Sequence, residues 1–506
     1  MVTIDPSFQA HNTQPAPFHT FRLTASQRSV LFTCLAGFLI IRVLLVFWLP
    51  ITDTTEARYA EIARKMVETG NWITPQFDYG VPFWAKPPLH TWATALGMKV
   101  FGVGHFGARV PILLLSMASL AVTYSLMRYR AGADQALIAV TILTSSLLFF
   151  GASAFVMTDM ALVLGTTLCM TGFFVCVTAP DRAGCGYLFF FGLAVGLLAK
   201  GPVALVLTGI PIFLWLLIGN RWPVLKHLPW RIGLLLTIVL SLPWYLAAEA
   251  ATPGYLRYFL IGEHIERFLV SGWQGDLYGN GHAEPKGMIW VFALGAFLPW
   301  SLFVAALLLR PKQTSRQFRE DDRGWYSYLL LWCLSPLILF TPAANILPAY
   351  VLPALPAAAL LLVSLWTKDG ARKVGAIRPA FIGALVGNGV IYLCLSLVVL
   401  AIPERLNLRS EKDLIEQAVA IAPKMRVTYW GSRSYSAEFY SAGAVRTTED
   451  PVVIERMLFN AYLDALAVEP YDLPKIKHLI ESRFQNLGRI GRRHLFVEFP
   501  HAGGRT

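Results

Sequence analysis

Charge is scarce in this chain: 15% of its 506 residues are Asp, Glu, Lys or Arg, against 55% hydrophobic residues and a mean hydropathy of +0.53. That balance excludes a soluble protein of ordinary composition and places the chain in a bilayer. Cysteine is scarce too. The six residues (Cys34, Cys169, Cys176, Cys185, Cys333, Cys394) fall in apolar runs or in loops expected on the cytoplasmic side, so neither a disulfide framework nor a thiolate metal site is expected. Internal repeats and low-complexity tracts are absent. The two-histidine spacing of clear zinc sites is missing as well.

Long apolar runs are plentiful. They cover 29–50, 106–127, 134–152, 160–179, 201–218, 231–248, 287–309, 325–341, 346–366 and 379–402, and a shorter one, 187–199, completes a hairpin. Each is near the roughly 20 residues that cross a hydrocarbon core. The count predicts about eleven spans, in a range of about 11–13. With Arg22 and Arg28 on the cytoplasmic side, alternate loops are basic: Arg128 and Arg130; Arg182; Arg221, Lys226 and Arg231; Arg310, Lys312, Arg316, Arg319 and Arg323; Lys368, Arg372, Lys373 and Arg378. The net charge of +12 is therefore a topology signal and not a nucleic-acid signature. The polar first 25 residues and the long first run predict a retained anchor without a cleaved signal peptide.

The fold expected is mostly α, a polytopic helical bundle over 1–403, followed by a small outward-facing α/β domain over 404–506. In that last segment helices near 410–420, 451–462 and 472–482 alternate with strands 425–430, 463–469 and 494–499, and no catalytic or phosphate-binding motif is recognisable. Two outer loops, 51–104 and 249–286, exceed connector length, which marks them as functional.

The first loop carries most of the chain's unusual chemistry. Asp53, Glu56, Glu61, Glu68 and Asp78 balance Arg58, Arg64, Lys65, Lys86 and, just beyond, Lys99. It reads as a folded cap on the membrane surface, opening with a helix whose Tyr59, Ile62, Ala63 and Met66 share a face and which stops at Gly70. The second loop contains GYLRYFLIGEHIERF, amphipathic enough to lie along the interface.

This topology gathers Asp53, Glu56, Arg58, Lys86, Asp159, Lys200, Glu263, His264 and Arg267 at one face of the membrane. Acids in an apolar setting serve as bases or orienting groups, and interfacial Lys and Arg hold phosphate. Each also has a plain structural reading. Asp53 with Glu56 three residues on matches an N-cap with its reciprocal partner. Thr158 or Asp159 caps a helix. Lys86 and Lys200 are placed to snorkel, the latter in a Lys200-Gly201-Pro202 turn. His264 between Glu263 and Glu266 is a weak metal signal, and Arg42 inside the first span needs an interior partner or a wet cavity.

As an ordered set, DTTEARYAEIARKM, FWAKPPL, TDM, LAKGP, GEHIERF and AYVLPALP resemble the motif series of bacterial lipid-linked-sugar glycosyltransferases, above all the lipid A aminoarabinose transferases, which are related to the protein O-mannosyltransferases. The resemblance covers nearly the whole chain. It implies the C-type glycosyltransferase fold, an inner-membrane location with a periplasmic active site, and an undecaprenyl-phosphate-linked sugar donor. It implies transfer with inversion to lipid A or another envelope glycolipid; a protein acceptor or a polyprenyl-lipid flippase are the alternatives. By resemblance Asp53 activates or orients the acceptor, Arg58 and Lys86 contact the donor phosphate, Asp159 is the second acid, and Tyr59, Lys200, His264, Arg267 and Tyr350 line the cavity. Two departures stand out. Thr55-Glu56 replaces the family's Asp-Glu, leaving the acid with Asp53 or with Glu56. Ala85 replaces an acid before Lys-Pro-Pro, which removes a ligand opposite His264 for any divalent metal.

Overall fold

The computed structural model describes residues 21–499 except 280, 281, 310, 320, 371–378, 403–407, 458–462 and 482. Each of the eleven apolar runs holds helix. They are α1 (Ala25–Trp48), α4 (His105–Ala131), α5 (Ala133–Ser145) with α6 (Leu147–Ala152), α7 (Asp159–Thr178), α8 (Gly186–Lys200), α9 (Val203–Ile218), α10 (Trp230–Ala251), and four later segments. Among the described residues seven helical segments are long and apolar enough to cross a membrane. The run expected as one span over 287–309 is instead a pair, Met288–Ala296 and Ser301–Leu308, bent by 109°. Arg310, Arg372, Lys373 and Arg378, and the expected 403/404 boundary, lie outside the described residues.

Local signals account for some helix ends. Thr24 accepts from Gln27 N at 3.2 Å while the Gln27 side chain accepts from Thr24 N at 3.1 Å, a capping box opening α1. Buried α7 is the bundle's central helix, and α8 packs on it through glycine: a Cβ at Gly165 would stand 2.7 Å from Gly196 N. Small residues permit such close backbone approach, which replaces the missing hydrophobic drive between helices in lipid.

The first outer loop builds α2 (Thr55–Thr69), a hairpin of β1 (Gln76–Asp78) and β2 (Val81–Pro82), and α3 (Leu89–Phe101), with Gly70 in the left-handed region ending α2. The surface-cap expectation needs correction here. α2 is buried nearly all round, its charged residues Glu56, Glu61, Arg64 and Lys65 included. Its apolar face meets α3; its charged face is covered by the helix Tyr435–Tyr440 of the C-terminal layer, whose Phe439 joins the same core cluster. Buried charge on α2 is satisfied internally: Glu61 pairs with Arg64 at 2.7 Å, and Lys65 lies 3.7 Å from Glu438 of that layer.

The C-terminal layer is a five-stranded mixed sheet in the order β4-β3-β5-β7-β6, formed by β3 (Arg426–Trp430), β4 (Arg446–Thr448), β5 (Asp464–Val468), β6 (Phe484–Ile490) and β7 (Arg493–Glu498). The α/β expectation holds, and β4, β6 and the helix Tyr435–Tyr440 add to it; of the expected helix over 451–462 the structure describes Pro451–Met457. β3 runs parallel to both β4 and β5. The segment leaving the carboxyl end of β3 meets the cap through Ser434 and Ser436, at the usual ligand end of such sheets. All six cysteines are free.

Candidate active site

One end of the bundle carries two joined cavities. The first is an apolar groove of about 210 Å³ between α9 and the helix Trp325–Phe340, lined by Val203, Val206, Leu207, Leu339 and Phe340. The second is a polar chamber of about 320 Å³ under the cap, lined by Thr54, Thr55, Arg58, Tyr59, Asp159, Asp276, His282 and Tyr435. Lys86, Lys200, Arg267 and Tyr350 line both, so the cavities meet at a cluster of cations.

Three of these cations are anchored by carboxylates. Lys86 Nζ is 2.6 Å from Glu263 Oε2, Arg267 lies 3.2 Å from both Glu263 and Asp276, and Lys200 Nζ is 2.5 Å from Asp159 Oδ1 and 4.6 Å above the Tyr350 ring. Arg58 differs. Its guanidinium donates to the Tyr278 carbonyl at 2.5 Å, and its Nε has no partner among the described residues. Four cations therefore face three carboxylates, an excess of positive charge in a partly dry cavity. Burial alone would push the Glu263 carboxyl up; Lys86 and Arg267 outweigh it and hold the carboxyl below its usual range.

Local chain chemistry sets these positions. Pro87 and Pro88 restrict the backbone after Lys86. Gly201, at φ +77°, turns the chain after Lys200, where a Cβ would meet the Phe259 ring at 2.5 Å. Residues Tyr258–Glu266 form a π-helical stretch, a distortion common at functional sites, and bury Phe259 and Glu263 while leaving Leu260, Ile261 and Ile265 exposed.

The structural alternatives resolve differently residue by residue. Lys86 and Lys200 turn inward to carboxylates and do not snorkel. The cap residue of α7 is Thr158, without a side-chain bond, and Asp159 serves Lys200 instead. Asp53 and Glu56, the expected acids, are absent from the chamber lining. Glu56 is buried against Arg109, with Oε1 2.7 Å from Nε and Oε2 2.8 Å from a terminal nitrogen. Asp53 is not the α2 cap, which is Thr54. Its Oδ2 accepts from Ser434 Oγ at 2.8 Å and Ser436 Oγ at 2.7 Å, and its Oδ1 from Ser436 N at 2.9 Å. Spacing cannot reveal either partner, because both come from distant sequence.

That tie extends into the sheet. Glu411 N donates to Ser436 Oγ at 3.0 Å, and the Glu411 carboxyl is pushed up to about 7 by burial, against the pull of Arg493 and with Asp53 adding to the rise. Burial likewise raises the Asp53 carboxyl above its usual value despite its Ser436 and Ser434 bonds. Asp53→Asn therefore resembles the protonated side chain and should loosen the sheet from the cap without emptying the chamber. A charged group's hydrogen bond is worth about 1.5–3 kcal/mol. The expected result is faster limited proteolysis between 400 and 435, with activity lowered about tenfold; complete loss of activity in a protein with wild-type proteolysis would return Asp53 to the chemistry.

His264 Nδ1 lies 2.7 Å from the Phe259 carbonyl, which assigns the proton to that nitrogen, and Nε2 lies 3.3 Å from the Lys200 carbonyl. Burial lowers its pKa. Among the described residues no three His, Cys, Asp or Glu side chains group to hold a metal ion, so the donor set does not fit a divalent metal at His264. Residues that sequence reasoning missed are Asp276, Tyr278, His282 and Tyr435. Tyr435 opens the helix Tyr435–Tyr440 that follows β3, and its chain neighbours Ser434 and Ser436, which bind Asp53, together with its own ring packed on Phe77 at 5.9 Å, bring it to the chamber.

Residues 29–259 match the dolichyl-phosphate-mannose-protein mannosyltransferase family model. An undecaprenyl phosphate-alpha-4-amino-4-deoxy-L-arabinose arabinosyl transferase of Edwardsiella ictaluri is 32% identical over 68% of this chain and 60% of that protein. One of the same name from Pseudomonas paraeruginosa is 31% identical over 72% and 62%. The chain spans about three fifths of the length of these curated relatives. The crystal structure of ArnT from Cupriavidus metallidurans bound to undecaprenyl phosphate shares the fold, with a TM-score of 0.72 at 20% identity, over 96% of this chain and 100% of that one. The chain is thus similar in sequence to the aminoarabinose transferases and, over 29–259, to the protein mannosyltransferases, and it has their multi-pass, C-type glycosyltransferase fold.

Proposed function

We propose that this protein moves a sugar from a polyprenyl-phosphate donor to a phosphate on an envelope glycolipid at the periplasmic face of the inner membrane. The observation that carries this is the junction of the two cavities: an apolar groove suited to a prenyl chain ends on Lys86, Lys200 and Arg267, and the same three cations open into a polar chamber large enough for a sugar. The names of the relatives supply the donor class, undecaprenyl phosphate.

In this reading the donor phosphate sits among Lys86, Lys200 and Arg267, with Arg58 on its chamber side. An acceptor phosphate oxygen forms a bond to the anomeric carbon as the bond from that carbon to the polyprenyl-phosphate oxygen breaks, and the electron pair leaves on the phosphate. The configuration inverts. Cations already in place where that charge develops stabilise the transition state without reorganising. An ionised phosphate needs no proton removed, which suits a chamber whose acids, Asp159 and Asp276, are both held by cations. Thr54 and Thr55 present the N-terminus of α2 to the same space, where the helix dipole favours an anion. Glu56 and Asp53 act as positioning residues: Glu56, through Arg109, fixes the start of α2 and so aims Arg58, and Asp53 holds Tyr435 at the wall.

The match to the protein mannosyltransferase model favours a second reading, a protein hydroxyl as acceptor with Asp159 as base. Mass spectrometry of envelope lipids separates the two. Cells lacking the protein should accumulate an undecaprenyl-phosphate sugar and lose one matching adduct on lipid A or another glycolipid, restored by wild type and not by Lys86→Ala. Accumulation with an unchanged lipid profile and a lost glycoprotein would establish the second reading. No change in any lipid-linked sugar would refute both.

A further inference from the structure

On the other flank of the bundle, α1, α4, α5 and α6 enclose a groove of about 380 Å³ that the proposed reaction does not use. Its wall is almost wholly apolar, with Phe32, Leu35 and Leu120 among its residues. Five polar side chains break that wall, Arg42, Ser116, Tyr124, Thr144 and Ser153, and two of them carry buried polar atoms without a partner among the described residues. Arg42 is the groove's one charged residue; it donates to the Gly151 carbonyl at 2.7 Å, and its buried Nε has no partner among the described residues. Thr144 Oγ1, in the same groove, is also buried and unpartnered among the described residues. An arginine within a span is costly unless something accepts its protons. Two donors left open in one apolar groove point to an oxygen-bearing occupant.

The groove also adjoins the chamber. Ser153 lines the groove; Met157, Thr158 and Asp159, a few residues on, line the chamber, and Ser116 Oγ holds the partition by donating to the Ser153 carbonyl at 2.6 Å. Arg42 lies six residues before the end of α1, hence about 9 Å below the cap.

We propose that this groove holds an acyl chain of the acceptor lipid, its ester or amide carbonyl accepting from Arg42 and Thr144 while its phosphorylated headgroup reaches the chamber. A prenyl chain has no oxygen in its hydrocarbon, so it would leave both donors open; an acylated lipid satisfies them. Donor and acceptor thus enter from opposite flanks, α9 on one side and α1 with α4 on the other. The inference rests on the lipid-acceptor reading above.

Two measurements on the full-length protein in detergent micelles test it. The first compares KM for a diacylated glucosamine phosphate with that for unacylated glucosamine 1-phosphate. Leu120→Trp, which fills the groove, and Arg42→Met should each raise the acylated-to-unacylated KM ratio at least tenfold. The second photo-cross-links a diazirine-bearing acyl glucosamine phosphate; the label should map to peptides of 25–48 or 105–131, yield to the unlabelled acidic lipid, resist neutral diacylglycerol, and disappear in Leu120→Trp. An unchanged KM ratio, a label elsewhere, equal competition by diacylglycerol, or labelling of the groove by a diazirine prenyl phosphate would overturn the proposal. If wild type transfers sugar to neither acceptor, the lipid-acceptor reading fails, and the cross-link decides the groove by itself.

Discussion

Lys86→Ala should lower kcat/KM for the polyprenyl-phosphate sugar by about 10²–10³-fold, the range seen when one preorganised charge-stabilising donor is removed. Two effects combine. The donor phosphate loses a cation, and Glu263, whose side chain is 2% exposed, faces that phosphate with Arg267 as its remaining salt-bridge partner. Removing the repulsion as well should recover part of the loss, so Lys86→Ala with Glu263→Gln should exceed Lys86→Ala alone by about tenfold. The pH dependence has a definite sign. In the wild type Lys86 and Arg267 keep the Glu263 carboxyl below its usual range, so it stays ionised through neutral pH and its pairing is lost only as pH falls through that lowered value. Without Lys86, burial pushes the carboxyl up, and protonation removes the opposing charge at higher pH. Donor affinity of the variant should therefore improve from pH 7 to pH 5 while the wild type stays flat. Transfer of radiolabelled sugar at a series of donor concentrations and pH values reads all of this, and a donor KM unchanged by Lys86→Ala would remove this lysine from the site.

Breaking the Asp159–Lys200 pair should be worse for stability than removing it. Both side chains are buried, 8% and 13% exposed, and 2.5 Å apart. Deleting one partner of a buried pair leaves an uncompensated charge, at a cost of about 3–5 kcal/mol, whereas replacing both is often near neutral. Asp159→Asn and Lys200→Met should each lower the thermal midpoint clearly, and the double variant should regain most of that loss. Activity should not follow stability. Lys200 is one of the three cations shared by groove and chamber, so the double variant should remain at least 100-fold below wild type in transfer. Thermal unfolding in detergent with parallel transfer assays makes the test; additive stability losses would mean that the two charges do not compensate each other.

Much of the site is legible before folding is considered. Arg58, Tyr59, Lys86, Asp159, Lys200, Arg267 and Tyr350 all reach the joined cavities, and His264 borders the groove. They are legible because the ends of apolar runs put them at one end of the bundle whatever their rotamers. The two acids nearest the first span are the exception. Glu56 looked like a free carboxylate or a cap partner, yet Arg109, 53 positions away, takes both its oxygens. Asp53 is satisfied by serines more than 380 positions away. A carboxylate's role follows from its partners, and local spacing does not contain them.

The sequence alone determined that this protein lives in a bilayer, where its helices lie, and which polar residues gather at one end, because a span of about 20 apolar residues and the charge of its flanks are local properties. Tertiary structure alone decided which acids enter the chamber, that Asp276 and Tyr435 complete its wall, that α2 is buried against the helix Tyr435–Tyr440 of the C-terminal layer, and that a second groove holds Arg42 with its Nε unpartnered among the described residues. Those facts depend on long-range pairing of buried charge, where an ion's cost or benefit is set by what stands opposite it.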